Sequence, residues 1–319
     1  MLFTQDLEEL IFHRHELYDT DEFIVLSGYL GPKPVKRLDN LPFRTKVIYG
    51  MYGSEGIKPS LHNSLIGIHN STEKVNIFYS NLPVHSKCYI WKKRGEIIHA
   101  LIGSANFSVN GLTTPFREVL AETTHDTFRP LNEYVNHVLN NSISCLEVGQ
   151  DRVVAEDLPS EYCIVTLLAK DGEVQPTAGL NWGQNPNNNT RPNDAYITIR
   201  ASHLRNYPNL FPPKQLYPMN TGNRGKGRSQ RQNHSVEIIW DDEVTMEGLL
   251  EGTYPIGDVI YPKQISSFPV KSELGEYIRK RIGVASEQPV RKRHLVNYGR
   301  TDIRISLLSD GVYYFDFSV

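Results

Sequence analysis

At 319 residues, the chain is long enough for two domains that each bury a hydrophobic core. Its formal net charge of −2 gives no overall attraction to nucleic acid, so any such binding has to rest on local clusters of charge. The three scattered cysteines, Cys88, Cys145 and Cys163, argue against a disulfide framework and a structural zinc site, and they favour a reducing compartment.

The N-terminal residues carry acidic side chains where a signal peptide carries basic ones. No apolar run in the sequence approaches membrane-spanning length. We therefore expect a cytoplasmic protein with no membrane partner.

The first half of the sequence alternates helical and extended patterns, which predicts an α/β domain over residues 1–150, with a mixed sheet flanked by helices. The predicted elements are a helix over 4–18 capped by Thr4, strands over 22–30 and 45–50, a helix over 57–69, a strand over 75–79, a strand pair between 84 and 108, a strand over 118–122, and a helix capped by Asp126 that runs through Val138.

From about residue 148 the pattern changes to short strands separated by long polar loops. This predicts a mainly β domain, a barrel or a sandwich, over residues 151–319. The predicted elements are strands over 162–168, 195–199, 234–240, 302–307 and 311–319, and a helix over 272–282.

The catalytic candidates lie on two neighbouring predicted strands of the first domain. His85 and Lys87 are two residues apart, as are Ser104 and Asn106, so each pair points to one side of its strand. A turn at residues 94–95 joins the two strands and brings imidazole, ammonium, hydroxyl and amide together. This set suits a phosphodiester, because it offers a nucleophile or proton carrier and donors for negatively charged oxygens.

Two loops of the second domain carry side chains suited to DNA. In the first, over residues 181–194 and called the amide loop below, amide and guanidinium groups match base edges in the major groove. Its candidates for DNA contact are Trp182, Gln184, Asn187, Asn189, Arg191 and Asn193. The second loop, over 222–233, is rich in glycine and suits phosphate contact through Arg224, Lys226, Arg228 and Arg231. Flexible, solvated loops are the alternative, as they are for a further basic cluster over 279–304.

The pair His85-x-Lys87, followed by Gly103-Ser104-x-Asn106 and an acid at Glu118, resembles the active-site signature of the nuclease branch of the phospholipase D superfamily. The resemblance implies that His85 attacks phosphorus and forms a phosphohistidine. Lys87 and Asn106, helped by Ser104, would bind the non-bridging oxygens. Glu118 would accept a hydrogen bond from the inner ring nitrogen of His85 and fix its tautomer.

The sequence departs from the superfamily pattern at one position. The pattern usually has an aspartate five residues after the motif lysine, where this chain has Lys92. In the nuclease branch a glutamate after the asparagine orients the histidine instead. Glu118 is favoured for that role, and Glu122, on the same predicted strand face, is the alternative.

The chain contains one copy of this motif, whereas the implied mechanism needs a second histidine to protonate the leaving oxygen and activate water. We therefore expect a homodimer with one shared catalytic centre on its twofold axis. No cofactor or metal is expected, because lysine and amide donors would replace the metal ion and the sequence lacks an acidic cluster of the two-metal kind.

The pairing of this domain with a β domain is similar to the NgoFVII type of restriction endonucleases, and more distantly to the metal-independent enzyme BfiI. The resemblance implies that the C-terminal domain is a plant B-three-like DNA-binding pseudobarrel, in which two loop arms clamp the major groove. The runs over 240–252 and 261–265 fit this family, and the amide loop and residues 222–233 are the candidates for the arms.

Together these inferences predict a type II restriction endonuclease that cleaves double-stranded DNA. A phospholipid-cleaving phosphodiesterase of the same superfamily is one alternative, although such an enzyme normally carries two motifs in one chain and an apolar lipid groove. A catalytically dead, sequence-specific DNA-binding protein is another. The intact His85, Lys87, Asn106 and Glu118 disfavour it.

Overall fold

The computed structural model describes residues 1–149, 152–153, 162–187, 189–214 and 233–319. The chain divides into two compact units: residues 1–158 with 308–312, and residues 159–307 with 313–319. Unit 1 combines a mixed sheet with helices, and unit 2 is mainly β, so the predicted fold classes are confirmed.

The described residues of unit 1 form helices and one mixed sheet. The helices are α1 (Leu7–His13), α2 (Pro32–Arg37), α3 (Tyr52–Glu55), α4 (Pro59–Ser71), α5 (Val109–Thr113) and α6 (His125–Asn140). The strands are β1 (Leu2–Phe3), β2 (Glu22–Ser27), β3 (Arg44–Tyr49), β4 (Val75–Ser80), β5 (Lys87–Lys93), β6 (Glu96–Gly103), β7 (Leu120–Glu122) and β8 (Ser142–Ser144). Their order across the sheet is β1-β7-β6-β5-β2-β3-β4-β8.

The centre of this sheet is buried because its strands are apolar on both faces. β2, β3 and β4 pair in parallel, and β2 is buried from Phe23 to Ser27, as expected for strands covered on both sides. β5 and β6 form an antiparallel hairpin whose turn places Arg94 and Gly95 at φ 51° and 84°. The predicted turn at residues 94–95 is therefore confirmed.

Three boundaries in unit 1 differ from the sequence prediction. α1 ends at His13 and continues as a 3-10 turn, and Asp6 stands at its N-cap position where Thr4 was expected. α6 begins at His125, so Asp126 lies in the first turn and does not cap the helix, although its charge there still favours the helix dipole. β7 begins at Leu120, so residue 118 precedes the strand.

The described residues of unit 2 form an open sheet with short helices. The helices are α7 (Ala201–Asn206), α8 (Ser272–Arg281) and α9 (Lys292–Tyr298). The strands are β9 (Tyr162–Thr166), β10 (Ile197–Thr198), β11 (His234–Trp240), β12 (Thr245–Glu251), β13 (Tyr254–Ile256), β14 (Val259–Tyr261), β15 (Gln264–Ser267), β16 (Asp302–Ser309) and β17 (Val312–Asp316).

Seven of these strands follow the order β10-β15-β12-β11-β17-β16-β9, and β13 and β14 form a separate hairpin between β12 and β15. The sheet wraps a core that includes Trp240, Phe211 and Phe315. β9 and β10 are its two edges, so the sheet is open, as in a pseudobarrel. Across the described ranges, no helix is long and apolar enough to span a bilayer.

Two glycines of unit 1 provide a test of this packing. A Cβ atom on Gly50 would lie 2.1 Å from the carbonyl oxygen of Val84, whereas a Cβ atom on Gly67, an exposed residue of α4, would meet nothing within 4 Å. We expect Gly50→Ala to lower the free energy of unfolding by about 1–3 kcal/mol, because backbone has to shift. Gly67→Ala should raise it by about 0.5–1 kcal/mol through helix propensity. Urea unfolding measures both, and a Gly50→Ala variant as stable as wild type would contradict the packing described.

Candidate active site

The predicted catalytic residues of unit 1 lie near the ends of neighbouring central strands of the sheet. β2 runs antiparallel to β5, and β5 antiparallel to β6, so the end of β2, the start of β5 and the end of β6 lie side by side. Lys87 is the first residue of β5 and pairs with Gly103, the last residue of β6. The His-x-Lys and Gly-Ser-x-Asn segments are therefore neighbours.

Lys87 lies directly beside His85. Its Nζ donates a hydrogen bond to the His85 carbonyl oxygen at 2.7 Å and is 3.1 and 3.2 Å from the two ring nitrogens. His85 is exposed, whereas Lys87 is only 5% exposed. The ammonium group is thus held in a partly dehydrated position next to an accessible imidazole.

The loop that follows β6 is held by hydrogen bonds from neighbouring strands. The backbone N–H of Phe107 donates to Ser27 Oγ at 3.0 Å, and the Tyr89 hydroxyl donates to the Ala105 carbonyl oxygen at 2.7 Å. Asn106 Oδ1 accepts a hydrogen bond from the backbone N–H of Tyr29 at 3.3 Å. This contact fixes the orientation of the Asn106 amide, so its NH2 group is the part that can donate to a phosphoryl oxygen.

Gly28 lies where these segments converge. A Cβ atom there would be 3.0 Å from His85 Cδ2 and 3.5 Å from Asn106 Oδ1. The structure therefore brings His85, Lys87 and Asn106 together around a glycine at the end of β2. Sequence reasoning missed this segment, although a glycine closing a buried strand is the expected sign of a close approach to its backbone.

Ser104 binds the chain next to Glu118. Its hydroxyl oxygen accepts a hydrogen bond from the Val119 N–H at 3.1 Å, and its own N–H donates to the Val119 carbonyl oxygen at 2.9 Å. In this conformation Ser104 fixes the position of the segment that carries Glu118. Its predicted help in binding phosphate oxygens stays a prediction.

The two candidate acids have different surroundings. The carboxylate of Glu122 pairs with Arg14 and, at 3.3 Å, with the N-terminal ammonium of Met1. Glu118 has Arg117 Nε at 3.6 Å and lies close enough to Lys87 to raise its pKa. In the part of the chain that the structure describes, Glu118 makes no hydrogen bond to His85, so its predicted contact with that ring stays a prediction.

Opposing effects act on the protonation of Lys87. Burial lowers the pKa of Lys87, because the charged form loses water, and the negative charge of Glu118 offsets part of that shift. The site therefore holds a lysine whose pKa is lowered by burial and partly restored by a neighbouring carboxylate. Within the described ranges, no three His, Cys, Asp or Glu side chains are grouped as metal ligands would be.

In unit 2, several side chains of the amide loop have structural contacts. Trp182 packs between Tyr196, with ring centroids 5.7 Å apart, and Lys271, whose Nζ is 5.1 Å from the indole centroid. Gln184 Nε2 donates to the carbonyl oxygens of Pro192 and Glu287 at 3.1 and 2.8 Å.

Asn193 is 5% exposed, and its amide nitrogen donates to Ser286 Oγ at 2.8 Å while its amide oxygen accepts from the Glu287 N–H at 2.7 Å. Its amide is therefore turned away from the solvent. Its polar atoms hold the loop together, and the predicted DNA contact by Asn193 stays a prediction.

Other predicted DNA contacts face the solvent or cannot be placed. Asn187, Asn189 and Arg191 are exposed on the amide loop. The remaining candidates lie outside the described residues, and they are Arg224, Lys226, Arg228 and Arg231.

A further basic surface lies next to the amide loop. The side chain of Asn181 bonds both the N–H and the carbonyl oxygen of Val290 at 2.8 Å, which ties the loop to the segment leading into α9. Arg291 and Arg293 follow and are exposed. They belong to the basic cluster over residues 279–304, but sequence alone does not separate them from its structural members, such as Arg281, which pairs with Asp241 at 2.7 Å.

Comparisons with known proteins agree with this two-part arrangement. A family model of the NgoFVII restriction endonuclease N-terminal PLD domain matches residues 5–149, and a model of the NgoFVII C-terminal B3-like DNA-binding domain matches residues 155–309. The predicted resemblance to this family is therefore confirmed.

Two solved structures are similar to part of the chain. NucT from Helicobacter pylori is 17% identical, with a TM-score of 0.34, over 45% of this chain and 97% of its own. Nuc from Salmonella typhimurium, a phospholipase D family member, is 14% identical, with a TM-score of 0.31, over 39% of this chain and 82% of its own. The family models carry the assignment, since these scores are low. Comparison with curated proteins gives no match.

The pKa of Lys87 gives a test of its link to Glu118. Glu118→Gln removes the charge that raises this pKa, so Lys87 should lose its proton at a lower pH than in wild type. If catalysis needs the ammonium form, the alkaline limb of the pH profile of phosphodiesterase activity shifts to lower pH. Glu122→Gln is the matched control and should leave that limb in place. An unshifted limb in Glu118→Gln would contradict the electrostatic coupling.

Proposed function

Because the chain belongs to the NgoFVII family of restriction endonucleases, we propose that it cleaves double-stranded DNA at specific sequences, through a phosphohistidine and without a metal ion. The observation that carries this proposal is the convergence of His85, Lys87 and the Asn106 amide around Gly28. An exposed imidazole beside a buried cation and an oriented amide suits attack on a phosphodiester.

The first step of the proposed reaction is attack by His85. The lone pair of its Nε2 forms a bond to phosphorus, and the bond from phosphorus to the leaving deoxyribose oxygen breaks. Lys87 and the Asn106 amide donate to the non-bridging oxygens, whose charge grows in the transition state. These fixed donors supply positive charge where other nucleases use a metal ion.

The second histidine of the proposed dimer acts as general acid and then as general base. His85 of the partner subunit gives a proton to the leaving oxygen and then accepts one from water. The oxygen of that water attacks phosphorus, and the electron pair of the P–N bond returns to the first histidine. Both histidines end in their starting states, and the DNA strand carries a phosphate at the cut end.

The proposed reaction needs two copies of His85, but the sequence has one His-x-Lys and Gly-Ser-x-Asn pair. We therefore propose a homodimer in which two subunits share one catalytic centre. Two large apolar side chains lie near the motif in sequence and are exposed: Ile102, on β6 beside Gly103, at 41%, and Phe116 at 46%. We propose that they lie in the interface between the subunits.

For target choice, we propose that unit 2 binds DNA with Asn187, Asn189 and Arg191 toward the bases and Arg291 and Arg293 toward the phosphates. The amide loop is preorganised for this by the buried contacts of Asn181 and Asn193. The basic loop over 222–233 stays a candidate for phosphate contact as predicted. Because binding costs less when a loop is already ordered, such support favours affinity.

Incubation of plasmid DNA with the protein in EDTA tests the reaction. Wild type should give discrete fragments with one recurrent end sequence, whereas His85→Ala should give none. A rapid alkaline quench with end-labelled DNA should trap a protein–DNA adduct in wild type alone, since phosphohistidine is stable to alkali.

A different result would contradict each part of the proposal. Cleavage that requires Mg²⁺ would contradict the metal-free mechanism, and random ends would contradict sequence specificity. Turnover of phospholipid vesicles without DNA cleavage would favour a lipid phosphodiesterase. Light scattering that shows a fully active monomer at micromolar concentration would contradict the shared centre.

The DNA-contact surface is tested by the salt dependence of binding to the cleaved sequence. We expect Arg291→Ala and Arg293→Ala each to weaken binding and to reduce the slope of log K against log salt by about 1, because each lost phosphate contact releases one fewer counterion. Arg205→Ala, exposed on α7, is the charge-matched control and should keep the slope. Equal slopes in all three variants would place the DNA elsewhere on unit 2.

A further inference from the structure

Tyr29 contacts the side chains of both His85 and Asn106. Its ring meets the His85 ring edge to face, with centroids 5.8 Å apart and an interplanar angle of 79°. Its backbone N–H donates to Asn106 Oδ1 at 3.3 Å. One residue at the end of β2 therefore borders the predicted nucleophile and orients a predicted phosphate donor.

Tyr29 is itself fixed at both its backbone and its side chain. Its carbonyl oxygen accepts a hydrogen bond from Ser27 Oγ at 2.6 Å, and the same hydroxyl oxygen accepts from the Phe107 N–H. Its phenol donates to Glu55 Oε1 at 2.9 Å. Burial, with help from this contact, raises the pKa of Tyr29 to about 12, so the phenol stays a donor at neutral pH.

Glu55 accepts the hydrogen bond of the Tyr29 hydroxyl. It is the last residue of α3 and is exposed, and Tyr29 contacts its carboxylate through the hydroxyl and His85 through the ring. The contact of Glu55 with the catalytic histidine is thus indirect, through an aromatic ring that cannot bend.

We propose that Tyr29 is a positioning residue whose ring, held by Glu55, restricts rotation of the His85 imidazole so that one nitrogen stays directed at phosphorus. The inference rests on the proposed function for the identity of the nucleophile. A rigid contact of this kind acts on the rate of the chemical step, because misdirection of a nucleophile by a fraction of an ångström costs rate and leaves binding intact. Glu55 acts on His85 through Tyr29.

Single-turnover cleavage by the full-length protein separates this role from packing. Tyr29→Leu removes the ring, Tyr29→Phe keeps it without the hydroxyl, and Glu55→Gln weakens the hydroxyl's acceptor. We expect adduct formation to slow by about 10–100-fold in Tyr29→Leu and about 2–5-fold in Tyr29→Phe and Glu55→Gln, with the Kd for DNA within about twofold of wild type.

The double variant Tyr29→Phe/Glu55→Gln gives a second readout. If Glu55 acts only through the phenol, the double variant should be no slower than the slower single variant. This comparison stands even if Tyr29→Leu fails to fold, which thermal unfolding would reveal. Additive losses would overturn the proposed link, as would a Tyr29→Leu variant that folds and forms adduct within about twofold of wild type.

A loss confined to the Kd would also overturn the inference, since it would mean that Tyr29 binds DNA. Failure of the proposed function is recognised separately, because wild type itself would then cut no DNA. In that case a crystal structure of the Tyr29→Phe/Glu55→Gln variant decides the inference without activity. An imidazole that has turned from its wild-type orientation supports the positioning role, and an unmoved ring contradicts it.

Discussion

Gly28 lies where the end of β2 meets the His85 ring and the Asn106 amide, and a Cβ atom at this crowded point would lie only 3.0 Å from the His85 ring. The segment after β2 is distant in sequence from the hairpin that carries the predicted catalytic residues, and the strand order β6-β5-β2 makes the two adjacent. The hydrogen bonds of Ser27, Tyr29 and Tyr89 then hold the Asn106 loop in place. The Asn106 loop is thus held by side chains and backbone of two neighbouring central strands, β2 and β5, and of the segment that follows β2.

The β5–β6 hairpin was predictable because its determinants are local. Strand periodicity, the turn at residues 94–95 and the spacing of His85 and Lys87 are all visible in the sequence. The surroundings of Glu118 and Glu122 were not, because they depend on pairings across the fold. Glu122 meets the Met1 ammonium because β1 and β7 are neighbours, which no local pattern reveals.

The amide loop shows a different limit of sequence reasoning. Its composition suggested that most of its polar side chains face DNA, yet the structure divides them by burial. Asn193 is buried and donates a hydrogen bond to Ser286 within unit 2, whereas Asn187 and Asn189 face the solvent. An amide serves equally well as a buried bridge or as a base reader, so composition cannot distinguish the two. Only the position of the loop against the segment before α9 does so.

The buried ammonium of Lys87 has a consequence for the stability of the fold. Removing a cation from water opposes folding, and one partial carboxylate partner does not fully compensate. That energetic cost is met once, when the chain folds, so the charge needs no reorganisation when a phosphate arrives. In this respect Lys87, a predicted catalytic residue, lowers the stability of its own domain, and a substitution that removes its charge is expected to stabilise the fold at the cost of the proposed chemistry.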